Sequence, residues 1–513
     1  MITKPNYLIR VCSDIVIVNV VLLFTFMLRY AWQITYEADP AVQPGSVLSE
    51  YVYNFLAASL IITPLLVVSL GVSGCYTYVH SYQTKFKAIV VAQAVTFVFV
   101  LAGMIDLLTP FAMPRSVLVM AGALSVLAFL ASRLWAAAWR AVLRVEEHAL
   151  ADPDNAAPKG GPRRTVLVIG GAGYIGSALL PRLLADGFRV RVLDLLLYGT
   201  EPIAKVLGDP ALEIIRADFR RVDPLVKAMR GVESVIHLGG IVGDPACAVD
   251  EELTIDVNLA ATRLIAEVAK GSGVKRLIFA STCSVYGAGE QVLDENSELN
   301  PLSLYARSKI ASEKILVEMA DESFAPIIAR FGTIYGISGR TRFDLVVNLL
   351  TAKAVFDREI TVFGGDQWRP FLHVDDAARA VHTLLRLPTR HGAEIFNVGA
   401  NQENYTIRQL GEIIKRLVPE AELRCSGDDQ DKRNYRVSFG KIARVAGFKT
   451  RWTVEDGVRQ VVAAIAAGSI DDYQDVQYSN VKSMAEFKNN GLAPPRVRWA
   501  HDLISAGPTS AAV

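Results

Sequence analysis

Two short signatures in this chain can do chemistry. The first is Gly170-Gly171-Ala172-Gly173-Tyr174-Ile175-Gly176, a turn able to cradle a phosphate. The second is Tyr305-Ala306-Arg307-Ser308-Lys309. Tyr305 and Lys309 are four apart in a stretch that reads as helical from Tyr305 to Met319, so phenol and ammonium share one face. A phenol, with a pKa near 10, is a poor base at neutral pH. A nearby ammonium, joined by the positive charge of an oxidised nicotinamide, favours the phenolate. Tyr305 can then take a hydroxyl proton while the carbon-bound hydrogen leaves as hydride. Lys309 can also hold the nicotinamide ribose.

These residues need a scaffold. Thr165-Val166-Leu167-Val168-Ile169 has the length and β-branching of a buried strand, and the glycine turn follows at once. Tyr174 to Asp186 reads as a helix and Phe188 to Leu193 as the next strand, ending at Asp194. That is the strand–turn–helix–strand context a dinucleotide fingerprint requires. Gly170 allows the tight turn, Gly173 lets the backbone approach the pyrophosphate, and Gly176 permits close helix packing. Tyr174 and Ile175 open the helix whose N-terminus favours the anion. Asp194, 18 residues beyond Gly176, suits the ribose hydroxyls and repels a 2′-phosphate, so the expected cofactor is NAD. Val235 to Leu238 and Leu277 to Ala280 are further short strands, with a helix from Ile255 to Ala269 between them. The expected fold is α/β: a doubly wound Rossmann parallel sheet with a smaller C-terminal substrate lobe. It is preceded by an α-helical transmembrane bundle.

That bundle comes from composition. The chain has 513 residues, 51% hydrophobic, and the excess lies at the N-terminal end. Four apolar stretches, about 11–32, 52–72, 88–108 and 116–138, are each near the ~20 residues needed to cross a bilayer. Pro64 in the second is tolerated in such a helix. Lys4, Arg10, Lys85, Lys87, Arg133, Arg140 and Arg144 flank one side of the spans, while the loop around 33–50 has Glu37, Asp39 and Glu50 and no Lys or Arg. The positive-inside rule puts the N-terminus and the catalytic part in the cytoplasm of a multi-pass membrane protein. Asn19, Gln93 and Asp106 are candidate functional polar groups within the spans, and with so few an anchoring bundle is expected ahead of a transporter. The resulting domain division is 1–144 membrane region, 145–164 linker, 165–465 catalytic domain and 466–513 tail. The tail after about 470 is polar and reads as peripheral.

A net charge of +1 gives no sign of a nucleic-acid partner. Cys12, Cys75, Cys247, Cys283 and Cys425 form no CxxC pair and the seven histidines no HxxxH pair, so no metal site is expected.

The segment of roughly 164–465 resembles the extended short-chain dehydrogenases/reductases, in the NAD-dependent epimerase/dehydratase family that works on nucleotide sugars. The marks are the glycine turn, Asp194, Arg216-Ala217-Asp218-Phe219, His237-Leu238-Gly239-Gly240, Asn258, Ser281 to Gly287, Tyr305 with Lys309, Arg330 to Gly336, Arg369 to Asp375 and Phe396 to Gly399. The resemblance implies that Thr282 is the catalytic Ser/Thr beside Tyr305. It implies that Asp218 and Phe219 contact adenine, that Leu238 borders the cofactor, and that Arg369 grips the diphosphate, with Asn348 and Arg433 also on the substrate. It also implies dimers formed through the helix bearing Tyr305.

Departures from the family narrow the reaction. The 4,6-dehydratases carry Asp-Glu where Cys283 and Ser284 stand, and the decarboxylases need a Glu at Ser284. Cys283 is read as a packing residue. Thr333, the Gly239-Gly240 pair and Pro370 replace a common Asn, Ala pair and Asp. The leading expectation is a membrane-anchored nucleotide-sugar epimerase acting at C4 through a transient keto-sugar. It would feed surface polysaccharide or glycoconjugate synthesis beside membrane glycosyltransferases. A keto-sugar or lipid reductase of the same fold, and a non-catalytic NAD-binding scaffold, are the alternatives.

Overall fold

The computed structural model describes residues 4–37, 44–73, 84–108, 113–149, 164–427 and 431–489. The chain divides into two compact units, Met1–Lys159 and Gly160–Val513.

The first unit is four helices: α1 (Lys4–Tyr36), α2 (Pro44–Val72), α3 (Thr84–Leu108) and α4 (Arg115–Ala149). Their apolar windows run Val11–Tyr36, Val47–Val72, Ile89–Leu108 and Arg115–Ser132, each long enough to cross a bilayer. The core holds Leu22, Phe26, Ile62, Leu66, Val95 and Phe129. The outward faces are apolar as well; Leu60 is 77% exposed and Val119 72%. Asn19 links α1 to α2, donating to Thr63 Oγ1 at 3.1 Å and accepting from Ser59. Asp106 accepts from the Met113 backbone N–H at 2.8 Å and so caps the turn into α4. Both polar groups therefore hold helices together. The α4 helix continues to Ala149, five residues into the segment read as a linker. Most of that linker, 150–163, lies outside the described residues, as do the side chains of Lys4, Arg10, Lys85, Lys87, Arg133, Arg140 and Arg144.

The second unit is built on seven parallel strands: β1 (Thr165–Ile169), β2 (Arg189–Asp194), β3 (Leu212–Arg216), β4 (Ser234–His237), β5 (Arg276–Thr282), β7 (Ala325–Phe331) and β11 (Glu394–Val398). Their order is β11-β7-β5-β4-β1-β2-β3. Strands buried on both faces need no polar alternation. Along β1, Val166 and Val168 enter one core with Leu179, Leu180 and Leu183. Leu167 and Ile169 enter the opposite core with Ile265, Ala266 and Phe279. The strand order reverses between β1 and β4, which opens a crevice at their carboxyl ends.

The remaining strands are β6 (Ala288–Leu293), β8 (Thr333–Tyr335), β9 (Glu359–Phe363), β10 (Trp368–His373), β12 (Asn404–Thr406), β13 (Glu422–Ser426) and β14 (Asn434–Val437). They make small sheets, β12-β10-β8, β13-β9 and β14-β6. The substrate lobe they form has its own core of Tyr335, Val347, Ile360, Phe371, Leu410 and Ile414. The tail read as peripheral is described as far as Asn489. Ile470 and Tyr473 are buried, and a helix spans Asn480–Asn489. Residues 490–513 lie outside the described residues.

Candidate active site

The glycine turn sits in the crevice. Gly170 has φ +78°, and a Cβ there would lie 2.6 Å from the Gly239 backbone nitrogen in the loop after β4. A side chain at Gly176 would meet the Gly171 carbonyl oxygen at 2.4 Å. The two loops thus come together only because these positions are glycine. Gly173 caps helix α5 (Tyr174–Ala185) without a side-chain hydrogen bond, leaving that helix end to a bound anion.

Asp194 closes the other side of the turn. One carboxylate oxygen accepts from the Ala172 N–H at 3.0 Å, the other from the Leu196 N–H at 2.8 Å. Burial raises its pKa, and these backbone donors oppose the rise. A carboxylate so fixed beside a phosphate-sized turn fits NAD and disfavours a second phosphate on the ribose. Phe219 lies against Gly239, 2.8 Å from where a Cβ would stand there. Asp218 is held by Arg220 at 2.6 Å, and Leu238 packs at the end of β4. The cradle therefore has the shape and charge for the dinucleotide.

The phenol of Tyr174 turns away from the cradle. It donates to the Gly336 carbonyl at 2.6 Å, and Asn348 donates to the same carbonyl at 3.2 Å. Asn348 also donates to Arg342 O and accepts from the Gly336 N–H. Its amide is thereby committed to holding the 336–342 loop, which leaves no donor for a substrate.

Tyr305 and Lys309 lie on the helix Leu304–Met319, capped by Ser303. Thr282 ends β5 and accepts from the Ser284 N–H at 3.1 Å, and its hydroxyl is among the groups that oppose the rise in the Tyr305 pKa. Lys309 Nζ donates to the Ala280 carbonyl at 2.8 Å and stands 5.9 Å from the Tyr305 ring. Strand end and helix thus converge on Thr282, Tyr305 and Lys309.

The protein's own groups oppose the phenolate that Lys309 and an oxidised nicotinamide together are expected to favour. Burial is the largest influence on Tyr305 and raises its pKa, Cys247 adds to the rise, and Arg342 opposes it. Burial lowers Lys309 to about 8. A desolvated ammonium at this distance does not outweigh the desolvation of the phenol itself. Tyr305 therefore rests protonated.

Arg369 and Arg433 come together around Asp431, at 2.9 and 2.6 Å. Arg433 also reaches Asp244 at 2.9 Å, and the Arg369 guanidinium lies over the Tyr435 ring, whose hydroxyl contacts Ser284 Oγ at 3.2 Å. The two guanidiniums are thus matched by Asp431 and Asp244, and Tyr435 links them to Ser284, two residues beyond Thr282. Cys283 is buried in the core and its thiol contacts the Arg330 carbonyl at 3.3 Å, as a packing residue should.

Three supporting groups complete the site; Glu313 and Asn480 were not singled out from sequence, and Asn258 was named there only as a mark of the family. Glu313 is buried with Arg330 at 2.6 Å and accepts from Ser281. Asn258, in a π-helical turn Asp256–Ala260, pairs with both backbone groups of Ile241 at 2.8 Å. Asn480, in the tail, bonds the loops on either side of the crevice. A π turn at a functional site is a common device.

Comparison with known proteins shows the family. The profile of the NAD dependent epimerase/dehydratase family matches residues 166–399. UDP-glucose 4-epimerase 4 of Oryza sativa subsp. japonica is 31% identical over 48% of this chain and 75% of its own. UDP-glucose 4-epimerase of Streptomyces lividans is 31% identical over 49% of this chain and 80% of its own. The solved UDP-glucuronic acid 4-epimerase of Bacillus cereus, in complex with UDP-glucuronic acid and NAD, is 25% identical with a TM-score of 0.54. It covers 59% of this chain and 99% of its own. The chain belongs to the NAD dependent epimerase/dehydratase family and is an NAD-dependent enzyme of it.

Proposed function

We propose that this protein is a membrane-anchored nucleotide-sugar epimerase that inverts C4 through a transient keto-sugar. The observation that carries the reaction class is the convergence of Thr282, Tyr305 and Lys309, while Cys283 and Ser284 occupy the positions where elimination would need an acid and a base. NAD, when bound, supplies a reversible hydride acceptor and the positive charge that favours loss of the Tyr305 proton. Tyr305 takes the sugar hydroxyl proton and later returns it. Thr282 holds the reacting oxygen, and Lys309 fixes the site from the Ala280 carbonyl. Arg369 and Arg433 offer planar donors to a diphosphate, displacing Asp431 as partner. The relatives named for UDP-sugars support a nucleotide-sugar substrate.

Anchoring rests on the four spans and on their apolar outer faces, which water would not tolerate over so large an area. The catalytic unit then works at the cytoplasmic face, supplying sugars for surface polysaccharide or glycoconjugate synthesis.

The test is to incubate the detergent-purified chain with UDP-, GDP-, dTDP- and CDP-sugars without added cofactor and to resolve products by NMR. An epimer formed without net redox change is expected. Conversion only after NAD(P)H is added would replace the epimerase with a reductase.

A further inference from the structure

The described part of the tail runs back to the cluster that holds Tyr305. It is rooted on the substrate lobe: Ile470 and Tyr473 bury with Phe343 and Val461, and Tyr473 donates to Asp357 at 2.6 Å. The Phe343 N–H donates to the Tyr478 carbonyl at 2.9 Å. Asn480 then makes four attachments, one of them accepting from the Tyr198 hydroxyl at 3.5 Å. Its N–H donates to Asp344 at 3.1 Å, its Nδ2 to the Val242 carbonyl at 3.0 Å, and its Oδ1 accepts from Arg340 at 2.6 Å. Val242 lies two residues beyond Gly240, where a Cβ would stand 3.8 Å from Lys309 Nζ. From this tether the helix Asn480–Asn489 places Val481 and Met484, three apart and so on one face, in an apolar cluster. That cluster contains Tyr305, with Ile241, Cys247 and Leu253.

We propose that residues 470–489 are a strap completing the sugar end of the pocket, and that Met484 is its specificity-determining residue. The proposal rests on the nucleotide-sugar reading above. Tyr305 must reach the reacting hydroxyl, so the apolar cluster it shares with Met484 bounds the space left for the sugar's other substituents. The strap lies beyond residue 399, where the family profile ends, so this wall is set by a segment outside the matched region. Methionine is unbranched and adaptable, and suits a wall that accommodates one substituent and resists a larger one. Size changes of a methylene or two in an apolar pocket discriminate by about 10- to 200-fold.

The experiment uses the full chain in detergent as wild type, Met484→Ala and Met484→Trp, with binding of UDP, UDP-glucose and UDP-N-acetylglucosamine measured by calorimetry. The alanine variant should shift the ratio of the two sugar affinities by about tenfold towards the N-acetyl sugar. The tryptophan variant should shift it the other way, and UDP affinity should stay constant in all three. Equal ratios across the three proteins, with UDP still bound, would overturn the strap's role and leave the substrate class standing. Val481→Ala, read the same way, serves if either Met484 variant melts early, and an unchanged ratio there counts against the strap. Failure of the wild type to bind any nucleotide sugar would overturn the substrate reading and the strap with it.

Discussion

Glu313 and Arg330 form a salt bridge at 2.6 Å in which both side chains are under 5% exposed, directly behind the strand end that carries Thr282. Glu313 also accepts from the Ser281 hydroxyl, and Arg330 donates to Tyr286 Oη at 3.0 Å, which donates on to Asn397 at 2.8 Å. The network ties β5, β7 and β11 to the helix that bears Tyr305. Removing one charge strands the other in the core, which costs about 3–5 kcal/mol. Glu313→Gln should lower the chemical-denaturation midpoint by a corresponding amount and misplace Thr282. Turnover measured well below the melt should fall with it. A variant as stable as wild type would show that the pair is not what fixes the strand end.

Tyr305→Phe keeps the ring and its packing and removes only the hydroxyl. Loss of a positioned acid–base group lowers turnover by about 10²- to 10⁴-fold. NAD retention, measured by releasing bound cofactor on denaturation, should be unchanged. Wild-type turnover in the variant would remove Tyr305 from the role of base.

Gly170 and Gly187 separate backbone strain from close approach. Their φ values are +78° and +81°, yet a Cβ at Gly187 meets nothing within 4 Å. Gly187→Ala should therefore cost only the left-handed conformation, about 1 kcal/mol. Gly170→Ala should cost more and should also lose NAD, because the loop after β4 must move off the turn. Equal melts and equal NAD content for the two variants would contradict this account of the cradle.

The parts of the site legible in the sequence were those coded over a short span. A glycine turn between a strand and a helix, Asp194 at the next strand end, and a phenol four residues from an ammonium are each local patterns whose geometry follows from one element. The supporting shell was not local. Glu313 reads as one more charge on a helix until β7 brings Arg330 to it from 17 residues away. Asn258 gains its reach from a π-helical turn that periodicity does not announce. Arg369 and Arg433 were foreseen as anion binders, but their shared partner Asp431 was not. Asn348 was expected beside the substrate and instead holds the Gly336 loop. The few apolar positions that dock the tail, Ile470, Tyr473 and Met484, are scattered through a polar segment and were not singled out from sequence.

Lys309 gives the fold a pH signature. Burial lowers its pKa from 10.5 to about 8, against the opposing influence of Cys247 and Glu313. Between those two values the unfolded chain keeps the proton and the folded chain releases it. Stability rises with pH wherever the unfolded state binds more protons. Lys309 therefore contributes stability that grows as pH climbs from about 8 towards 10.5 and is penalised below that window, where the folded state must bury a charged ammonium. Lys309→Met removes the titration. The difference in unfolding free energy between wild type and variant should shift towards wild type across the window, followed by denaturant melts at successive pH values. Melts that change in parallel would show that the buried amine keeps an ordinary pKa. The same variant should lose turnover at every pH, since it removes the amine that stands between the Ala280 carbonyl and Tyr305.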